Sequence, residues 1–431
     1  MQSSLLSKQI FGLADANSFY VSCEYVFRPD LWGQPGVVLS NNDGCGIAYN
    51  AQAKAILGLR MAQAWFEVEE MARKIGVNVF SSNYTLYAQM SLDFMETLST
   101  FLPVEVYSVD EAFLDATGII RDLTDLGREI KETVAKWVKL PICVGWGHTK
   151  TMAKLANHIA KKQPVFNGVC DLTAMSEVEV DTILENLDVK KIWGVGEQLK
   201  EKLNAVGVYN VLRLKRADPK RIRDKFGVIL ERTVRELNNE TWLGLEDMLP
   251  EAKQVRSSRS FGARVESLDD LVEVITYHST MAAERMRSKG LFAQGVHVDM
   301  QNSPFDQAEY FHGSKLVYLP APTNSTRKIT EAALWLLEKA YRPGIYYQKA
   351  GVMLLDLVPE AGQQKDLLGY TDKDETELVL MKTMDEINKR WGRGTLKLGS
   401  EGIDKSWAMR RNYKSPDYLS NMKELPVAYA D

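Results

Sequence analysis

The spacing of hydrophobic positions along the first third of the chain alternates between two patterns. Short apolar runs predict strands, and longer runs with mixed polarity predict helices. Strands are predicted at residues 10–16 and 141–144, with two short strands around a turn at 104–115, and helices are predicted at residues 121–139 and 149–162. Alternation of this kind is typical of a layered arrangement of helices and sheet. Residues from about 20 to 86 interrupt it, which indicates a small inserted subdomain.

The second half of the chain has a different order. Residues 172–240 read as short helices separated by glycine breaks, and the polar stretch at 240–255 predicts a linker. Beyond the linker, a βαββαβ order predicts one small sheet with two helices on a face. Its strands are predicted at 257–265, 295–301, 315–319 and 349–358, and its helices at 267–290 and 325–341. Serines at 267 and 325 precede the two helices as predicted caps.

The charge and cysteine composition limit the classes of protein to which the chain can belong. The 53 basic and 57 acidic residues give a net charge of −4, whereas many proteins that bind nucleic acid unaided are strongly basic. Binding to DNA would therefore need local basic residues or partner proteins. The four cysteines form no C-x-x-C pair, so we expect no zinc site and no disulfides in a reduced, cytoplasmic compartment. The first ten residues lack the apolar core of a signal peptide, and we expect no membrane partner.

Three carboxylates lie where strands are predicted to end. Asp15 closes the first apolar run, and Asp110 and Glu111 stand between two strand-like runs. Clustered carboxylates repel each other unless a cation joins them, and hard oxygen ligands suit Mg²⁺. Two such ions support phosphoryl transfer by activating a hydroxyl and stabilising the leaving group. The alternative is a solvated hairpin tip at Asp110 and a helix cap at Asp15.

Basic residues are concentrated in two places. Lys150, Lys154, Lys161 and Lys162 follow one predicted helix, where they could meet a triphosphate or a DNA backbone, or simply form a solvated face. A second basic stretch contains Arg213, Lys215, Arg216, Lys220, Arg221, Arg223 and Lys225.

Just before this second stretch, residues 192–199 match a helix-hairpin-helix turn. Its glycines would let backbone N–H groups reach a phosphate. An ordinary tight turn between two helices is the alternative.

Several motifs in this order resemble the Y-family of translesion DNA polymerases. They are DANSFYVSCE at 15–24, VLSNNDGC at 38–45, FSSNYTLY at 80–87, YSVDEAF at 107–113, TKTMAKLANH at 149–158 and SRSFG at 258–262. The resemblance runs from about residue 11 to residue 418 and includes GRGTL at 392–396 and WAMRR at 407–411. It is closest to the bacterial members that act with partner proteins in the SOS response to DNA damage.

The resemblance implies an α+β multidomain fold shaped as a right hand. The expected parts are a palm at 10–20 and 87–171, small fingers at 21–86, a helical thumb with the helix-hairpin-helix at 172–240, a linker at 241–254, a βαββαβ little finger at 255–358 and a C-terminal partner-binding region at 359–431.

The resemblance also implies roles for individual residues. Asp15, Asp110, Glu111 and the backbone carbonyl of Ala16 would hold two Mg²⁺ ions. The nucleotide-binding residues would be Phe19, Tyr20, Lys54 and Lys161. The DNA-binding residues would be Gly194, Gly196, Lys200, Ser258, Arg259 and Ser260.

Tyr20 would be the gate that excludes ribonucleotides, because a rigid ring under C2′ leaves no space for the 2′-hydroxyl. Core packing of the Phe19-Tyr20 pair is the alternative.

The chain departs from the family pattern in two regions. Many members carry Tyr and Arg at the positions of Ala51 and Lys54, and the most similar bacterial members have Arg where Tyr49 stands. The family also favours a smaller apolar residue at the position of Trp146. These changes leave the carboxylates untouched, so we expect an active enzyme of weak activity, and how the fingers hold the triphosphate stays open.

The function implied is template-directed DNA synthesis of low fidelity across damaged DNA. The expected partners are primer-template DNA, deoxynucleoside triphosphates, a UmuD-type dimer, a RecA filament and a sliding clamp. The clamp would bind Gln364, Leu367 and Leu368, unless these residues belong to an ordinary polar loop. Two other classes stay open: a non-catalytic DNA-binding subunit and a metal-dependent nuclease.

Overall fold

The computed structural model describes residues 9–58, 63–244, 252–359, 375–403, 407–419 and 421–425. The chain divides into two compact units. One contains Met1–Leu249 and Asn412–Asp431, and the other contains Pro250–Arg411. Within the ranges described, no helix has the length and apolar character required to cross a membrane.

The first unit contains eight described strands and eleven described α-helices. In chain order they are β1 (Phe11–Ala16), α1 (Phe19–Val26), β2 (Gly36–Leu39), β3 (Gly46–Tyr49), α2 (Ala51–Leu57), α3 (Glu69–Ile75), β4 (Asn78–Ser81), α4 (Tyr84–Ser99), β5 (Val104–Val106), β6 (Glu111–Asp115), α5 (Leu123–Trp137), β7 (Ile142–Gly147), α6 (Lys150–Lys162), β8 (Val169–Asp171), α7 (Glu177–Glu185), α8 (Glu197–Asn204), α9 (Val211–Lys215), α10 (Pro219–Phe226) and α11 (Val228–Leu237).

The main sheet of this unit has five strands in the order β5-β6-β1-β7-β8. β1 lies in the centre and pairs antiparallel with β6 and β7, which explains why nearly all of its residues are buried and apolar. α6 packs closely on β7 because Gly145 presents no side chain there. A Cβ at that position would lie 2.1 Å from the backbone nitrogen of Asn157. Asn157 in turn donates to the carbonyls of Leu13 and Cys143, which fixes α6 against the sheet.

The segment between α1 and α4 forms the inserted subdomain that the sequence predicts. Its three strands have the order β3-β2-β4, with β2 parallel to β4 and antiparallel to β3. Its separate core contains Val37, Leu39, Tyr49, Ala53, Trp65, Val68, Ala72 and Val77. The helices α7 to α11 share another core with α6, so the short helices predicted at 172–240 are also present.

The second unit is built on β9 (Gln254–Val265), α12 (Leu268–Arg287), β10 (Leu291–Gln301), β11 (His312–Thr323), α13 (Thr326–Ala340), β12 (Tyr347–Pro359) and α14 (Glu375–Trp391). Its antiparallel sheet has the order β11-β10-β12-β9, and α12 and α13 pack on it. The predicted βαββαβ order and both predicted caps are confirmed, since Ser267 accepts from the backbone N–H of Asp270 in α12 and Ser325 from that of Lys328 in α13.

Residues beyond the βαββαβ core also pack within the second unit. The Arg287 guanidinium donates to both carboxylate oxygens of Asp385 on α14 at 2.7 Å. Met381 and Met384 are buried, and Trp407 lies in the core beside the rings of Phe261 and Tyr277. Much of the polar C-terminal third of this unit is therefore folded structure.

Candidate active site

The three predicted carboxylates meet at one end of the main sheet. Asp15 on β1 stands directly opposite Glu111 on β6 in the strand register. The backbone N–H of Ala16 donates to the carbonyl of Asp110 at 2.8 Å, which brings the turn before β6 to the same place. The side chains of Asp15 and Glu111 are 18% and 15% exposed, so both are partly removed from solvent.

Each carboxylate already has a donor. Lys161 pairs with Asp15, and Lys154 Nζ lies 2.9 Å from Glu111 Oε1. The Ser108 hydroxyl donates to Asp110 Oδ1 at 2.5 Å. In this arrangement, no group of three or more His, Cys, Asp or Glu side chains among the described residues is set as a ready metal cage. The lysine ammonium groups balance the negative charge here.

The donor set nevertheless suits a divalent cation. Burial raises the pKa of Asp15 to about 6; Lys161 opposes this effect, and the charges of Glu111 and Asp110 add to it. A carboxylate held in a partly buried, negative environment gains strongly from a bound cation. The oxygen ligands match the preference of Mg²⁺, and Ala16, the predicted carbonyl ligand, is the last residue of β1.

A short turn after β1 places Tyr20 beside these carboxylates. Ser18 adopts a left-handed conformation with φ of 49°, and α1 begins at the next residue. Tyr20 is half-buried and stacks on the ring of Tyr87, with centroids 4.7 Å apart. Burial raises the pKa of Tyr20, and the charge of Asp110 adds to the effect. Phe19, by contrast, is buried in the core of the unit.

Positive charges gather around Lys161, the partner of Asp15. Burial lowers the pKa of Lys54 on α2, and the charges of Lys162 and Lys161 lower it further. His158 has its pKa lowered by burial first and then by nearby lysines, including the same two. Sequence reasoning placed Lys162 among the basic residues of α6 but did not assign His158 to the site. Their spacing of three and four residues on α6 was the available signal, because such residues share a helix face.

The four lysines of α6 do not form one ligand-binding face. Lys150 is only 3% exposed and donates to both carboxylate oxygens of Glu105 at 2.7 and 2.6 Å. It also lies 5.0 Å from the centre of the Phe113 ring. The interpretation of Lys150 as a phosphate contact is therefore wrong, since its charge is satisfied inside the fold. The partner acid is 45 residues away in sequence and leaves no local signal.

The predicted helix-hairpin-helix turn lies between buried Ile192 and the start of α8. Gly194 has a φ of +83°, a conformation that favours glycine, and Gly196 caps α8. Lys200, predicted to bind DNA, pairs with Asp188 at 2.9 Å.

The basic stretch after the turn is partly structural. Lys215 is buried and pairs with Asp181 at 2.6 Å and with Glu177 at 3.3 Å. Its charge therefore holds α9 to α7 and is not offered to DNA. The exposed basic residues of this stretch include Lys220, Arg221 and Lys225.

In the second unit, the predicted DNA contacts Ser258, Arg259 and Ser260 lie on β9, an edge strand. A polar cavity of about 230 Å³ opens between this strand and α12. Its lining includes four guanidinium groups, those of Arg256, Arg259, Arg285 and Arg393. Only Arg259 was predicted from the sequence.

Tyr49 and Trp146, two departures from the family pattern, pack against glycines that leave space for their rings. Tyr49 is buried in the core of the inserted subdomain and packs over Gly46, where a Cβ would lie 1.7 Å from its hydroxyl oxygen. Trp146 is fully buried and lies over Gly12 and Gly127. Both side chains therefore serve packing. The predicted clamp-binding residues Gln364, Leu367 and Leu368 lie outside the described residues.

Comparison with known proteins agrees with this geometry. Family models match in four places: the impB/mucB/samB family at residues 14–158, its C-terminal domain at 252–367, the IMS family HHH motif at 177–208, and a domain of unknown function (DUF4113) at 379–428. A solved Y-family DNA polymerase chimera, Dbh-Dpo4(243-245)-Dbh, shares the fold with a TM-score of 0.63 and 21% identity, covering 81% of this chain and all of that one. The chain belongs to the impB/mucB/samB family of Y-family DNA polymerases, which are DNA-directed DNA polymerases.

Individual relatives show which members of the family this chain is similar to. Protein UmuC of Salmonella typhimurium strain LT2 is 44% identical over 96% of this chain and 99% of that protein. Protein ImpB of Salmonella typhimurium is 41% identical over 97% of this chain and 99% of that protein. DNA polymerase IV of Moorella thermoacetica is 24% identical over 88% and 93%. The likeness to UmuC therefore extends over nearly the full length of both chains.

Proposed function

We propose that this protein performs template-directed, low-fidelity DNA synthesis across damaged bases in the SOS response. The observation that carries the proposal is the convergence of Asp15, Asp110 and Glu111 at the end of one sheet. Lys161 pairs with Asp15, and Tyr20 lies close enough to Asp110 for that charge to raise its pKa. This is an arrangement suited to nucleotidyl transfer, in which two cations and an incoming triphosphate share one charged pocket.

DNA polymerases use divalent metal ions. In this chain, Asp15, Asp110, Glu111 and the Ala16 carbonyl would hold two Mg²⁺ ions, which when bound activate the primer 3′-hydroxyl and stabilise the leaving pyrophosphate. With cations bound, Lys161 and Lys154 would no longer be needed to balance these carboxylates. Lys161 and Lys54 are the proposed triphosphate ligands, a proposal supported by the effect of the Lys161 charge on Lys54.

Tyr20 is the proposed gate against ribonucleotides, and Phe19 supports it from the core. The Tyr20 ring is held beside the carboxylates by its stacking on Tyr87. A rigid aromatic ring under C2′ of the incoming sugar leaves no space for a 2′-hydroxyl. The ring has few rotatable bonds, so it fills that space at low entropic cost.

DNA contacts are assigned to two places. Gly194 and Gly196 present backbone N–H groups at the hairpin turn, with Lys200 one turn into α8. Ser258, Arg259 and Ser260 present polar side chains along β9. Arginine and backbone N–H groups suit phosphates and carry little sequence preference, as a polymerase that accepts any template requires.

The right-hand parts follow from these assignments. We assign the palm to residues 10–20 and 87–171, the fingers to 21–86, the thumb to 172–240, the linker to 241–254, the little finger to 255–358 and a partner-binding region to 359–431. With a net charge of −4, the chain gains from tethering, because tethering raises its local concentration on DNA. A UmuD-type dimer, a RecA filament and a sliding clamp at Gln364, Leu367 and Leu368 are the proposed partners.

Primer extension tests this function. The wild-type chain should lengthen a labelled primer by copying the template, and Asp110→Asn should abolish nucleotide addition while DNA binding survives. Removing one ligand charge weakens metal binding but leaves the phosphate contacts on α8 and β9 intact. Near-normal extension by the variant would remove the metal assignment. Shortening of the primer by the wild-type chain would identify a nuclease instead.

A further inference from the structure

Residues 412–418 form a segment that we call the strap, which returns to the first unit after the second unit is complete. The strap pairs with the end of β4: Ser81 N–H donates to the Tyr413 carbonyl at 2.9 Å, and Tyr413 N–H donates to Ser81 Oγ at 2.9 Å. The N–H of Asn412 donates to Asp43 Oδ2 at 2.8 Å. The strap lies within the region matched by the domain of unknown function at 379–428.

The strap also holds two helices near the site. Asn83 caps α4, and its side-chain NH₂ donates to Ser415 Oγ at 3.1 Å and to the Pro416 carbonyl at 3.3 Å. Asn83 and Ser415 are both buried. At the end of α1, the ring of Phe27 stacks on Tyr418, with centroids 4.6 Å apart and planes 13° from parallel. The strap thus contacts the start of α4 and the end of α1.

The same two helices meet at Tyr87, under the proposed gate. The ring of Tyr87 stacks on Tyr20, while its hydroxyl donates to Glu24 Oε1 at 2.6 Å. Tyr20 and Glu24 are four residues apart on α1 and therefore share a helix face. One side chain on α4 thus fixes both the gate ring and a buried carboxylate one turn further along α1.

The strap acts on that carboxylate too. Glu24 is 0% exposed, and burial raises its pKa to about 7. The Ser415 hydroxyl and the Lys414 charge lower the pKa, although Oε2 has no partner in ordinary hydrogen-bonding geometry among the described groups. The strap is therefore placed to favour the ionised carboxylate, which is the stronger acceptor for the Tyr87 hydroxyl.

We infer that the strap is a positioning element for Tyr20, so that a segment of the domain of unknown function contributes to sugar selection. The inference rests on the proposed gate role of Tyr20. Exclusion of a 2′-hydroxyl is steric, so a small tilt of the gate ring opens space for it. Without the strap, α1 and α4 lose contacts that tie them together, and the Tyr87–Tyr20 stack is held less firmly.

The test compares incorporation of a deoxynucleotide and its ribonucleotide opposite the same template base, using the full-length chain. The strap variant is Ser415→Val with Tyr418→Ala, and Tyr20→Ala is the reference. Lys423→Ala, an exposed residue that follows the strap, is the control. We expect the strap variant to lower the preference for deoxynucleotides by roughly three- to tenfold, as for residues coupled through contact. The control should leave the preference for deoxynucleotides unchanged. Combining the strap variant with Tyr20→Ala should lower this preference no further than Tyr20→Ala alone.

The ratio of deoxynucleotide to ribonucleotide incorporation separates a positioning role from a role in stability. Loss of folded enzyme lowers the two incorporation rates equally and leaves their ratio unchanged. An unchanged ratio in the strap variant, with Tyr20→Ala lowering it, would overturn the strap inference and leave the gate standing. An unchanged ratio in Tyr20→Ala would overturn the gate and the inference together. If the strap variant does not fold, the single variant Ser415→Ala supplies the decision, since it removes only the strap hydroxyl that Asn83 contacts. The same fall in the ratio supports the inference, and no fall contradicts it.

Discussion

Lys161 pairs with Asp15 in this structure and lies near Lys54, with which it forms the proposed triphosphate site. We predict that Lys161→Met raises the KM for deoxynucleotides roughly tenfold, as expected for the loss of a hydrogen bond to a charged group. Lys136→Met, an exposed lysine on α5, is the matched control. Steady-state single-nucleotide insertion measures the change, and an unaltered KM would remove Lys161 from the triphosphate site.

Glu24 gives the first unit a defined dependence on pH. Burial raises its pKa from 4.5 to about 7, so the folded state holds the proton more tightly than the unfolded state. The contribution of Glu24 to the free energy of unfolding is therefore fully present below pH 4.5 and is lost as the pH rises to 7. The total loss is about 3 kcal/mol at most. The groups facing it are the Tyr87 hydroxyl, Ser415, Lys414, Cys23 and Tyr418.

Glu24→Gln removes this titration and keeps the side-chain shape. We predict that the Tm of the wild-type chain falls relative to that of Glu24→Gln between pH 5 and pH 7. The changed hydrogen bonding in Glu24→Gln shifts its Tm by an amount that does not vary with pH. Thermal unfolding of both chains at several pH values provides the comparison. Parallel curves would show that Glu24 keeps an ordinary pKa.

The site residues that lie at the ends of predicted strands could be found from the sequence. Asp15 follows from the apolar run that it closes, and Glu111 from the strand-like run that it precedes. Antiparallel register then places the two opposite each other. The partners of Lys150 and Lys215 were not predictable. Both lysines pair with acids 34 or more residues away, and only the folded chain brings those groups together.

At the scale of elements, the contact of β1 with β7 explains Trp146. Its ring fills the space above Gly12, its register partner, and a Cβ there would lie 2.4 Å from Trp146 Cζ3. We predict that Gly12→Ala destabilises the chain by about 1–3 kcal/mol through overpacking. Gly244→Ala, which meets open space, is the control. Adding Trp146→Leu should recover part of the lost Tm; no recovery would contradict the proposed contact.

Element types and order were predictable, but strand lengths in the second unit were not. The apolar run at 315–319 predicts a short strand, whereas β11 spans His312–Thr323. The reason is that most of its residues are partly or fully exposed, so polar side chains at its start, and Pro320 and Pro322 near its end, interrupt the hydrophobic pattern. Helix ends were better marked, because Ser267 and Ser325 are caps with a local signature.

At the scale of the whole molecule, the C-terminal region serves each unit separately. Residues of α14 and Trp407 pack in the second unit, while the strap packs in the first. Sequence reasoning assigned all of 359–431 to partner binding, because a polar composition predicts exposure. Contacts such as Asn83 with Ser415 span 332 residues and have no local signal.

The central claim is that this chain copies DNA past damage. The most direct measurement is primer extension on a template with one abasic site, using the full-length chain with a UmuD-type dimer and a RecA filament. We predict products that pass the site, dependent on Mg²⁺ and absent with Asp110→Asn. Full extension on undamaged template with complete arrest at the abasic site would contradict the claim.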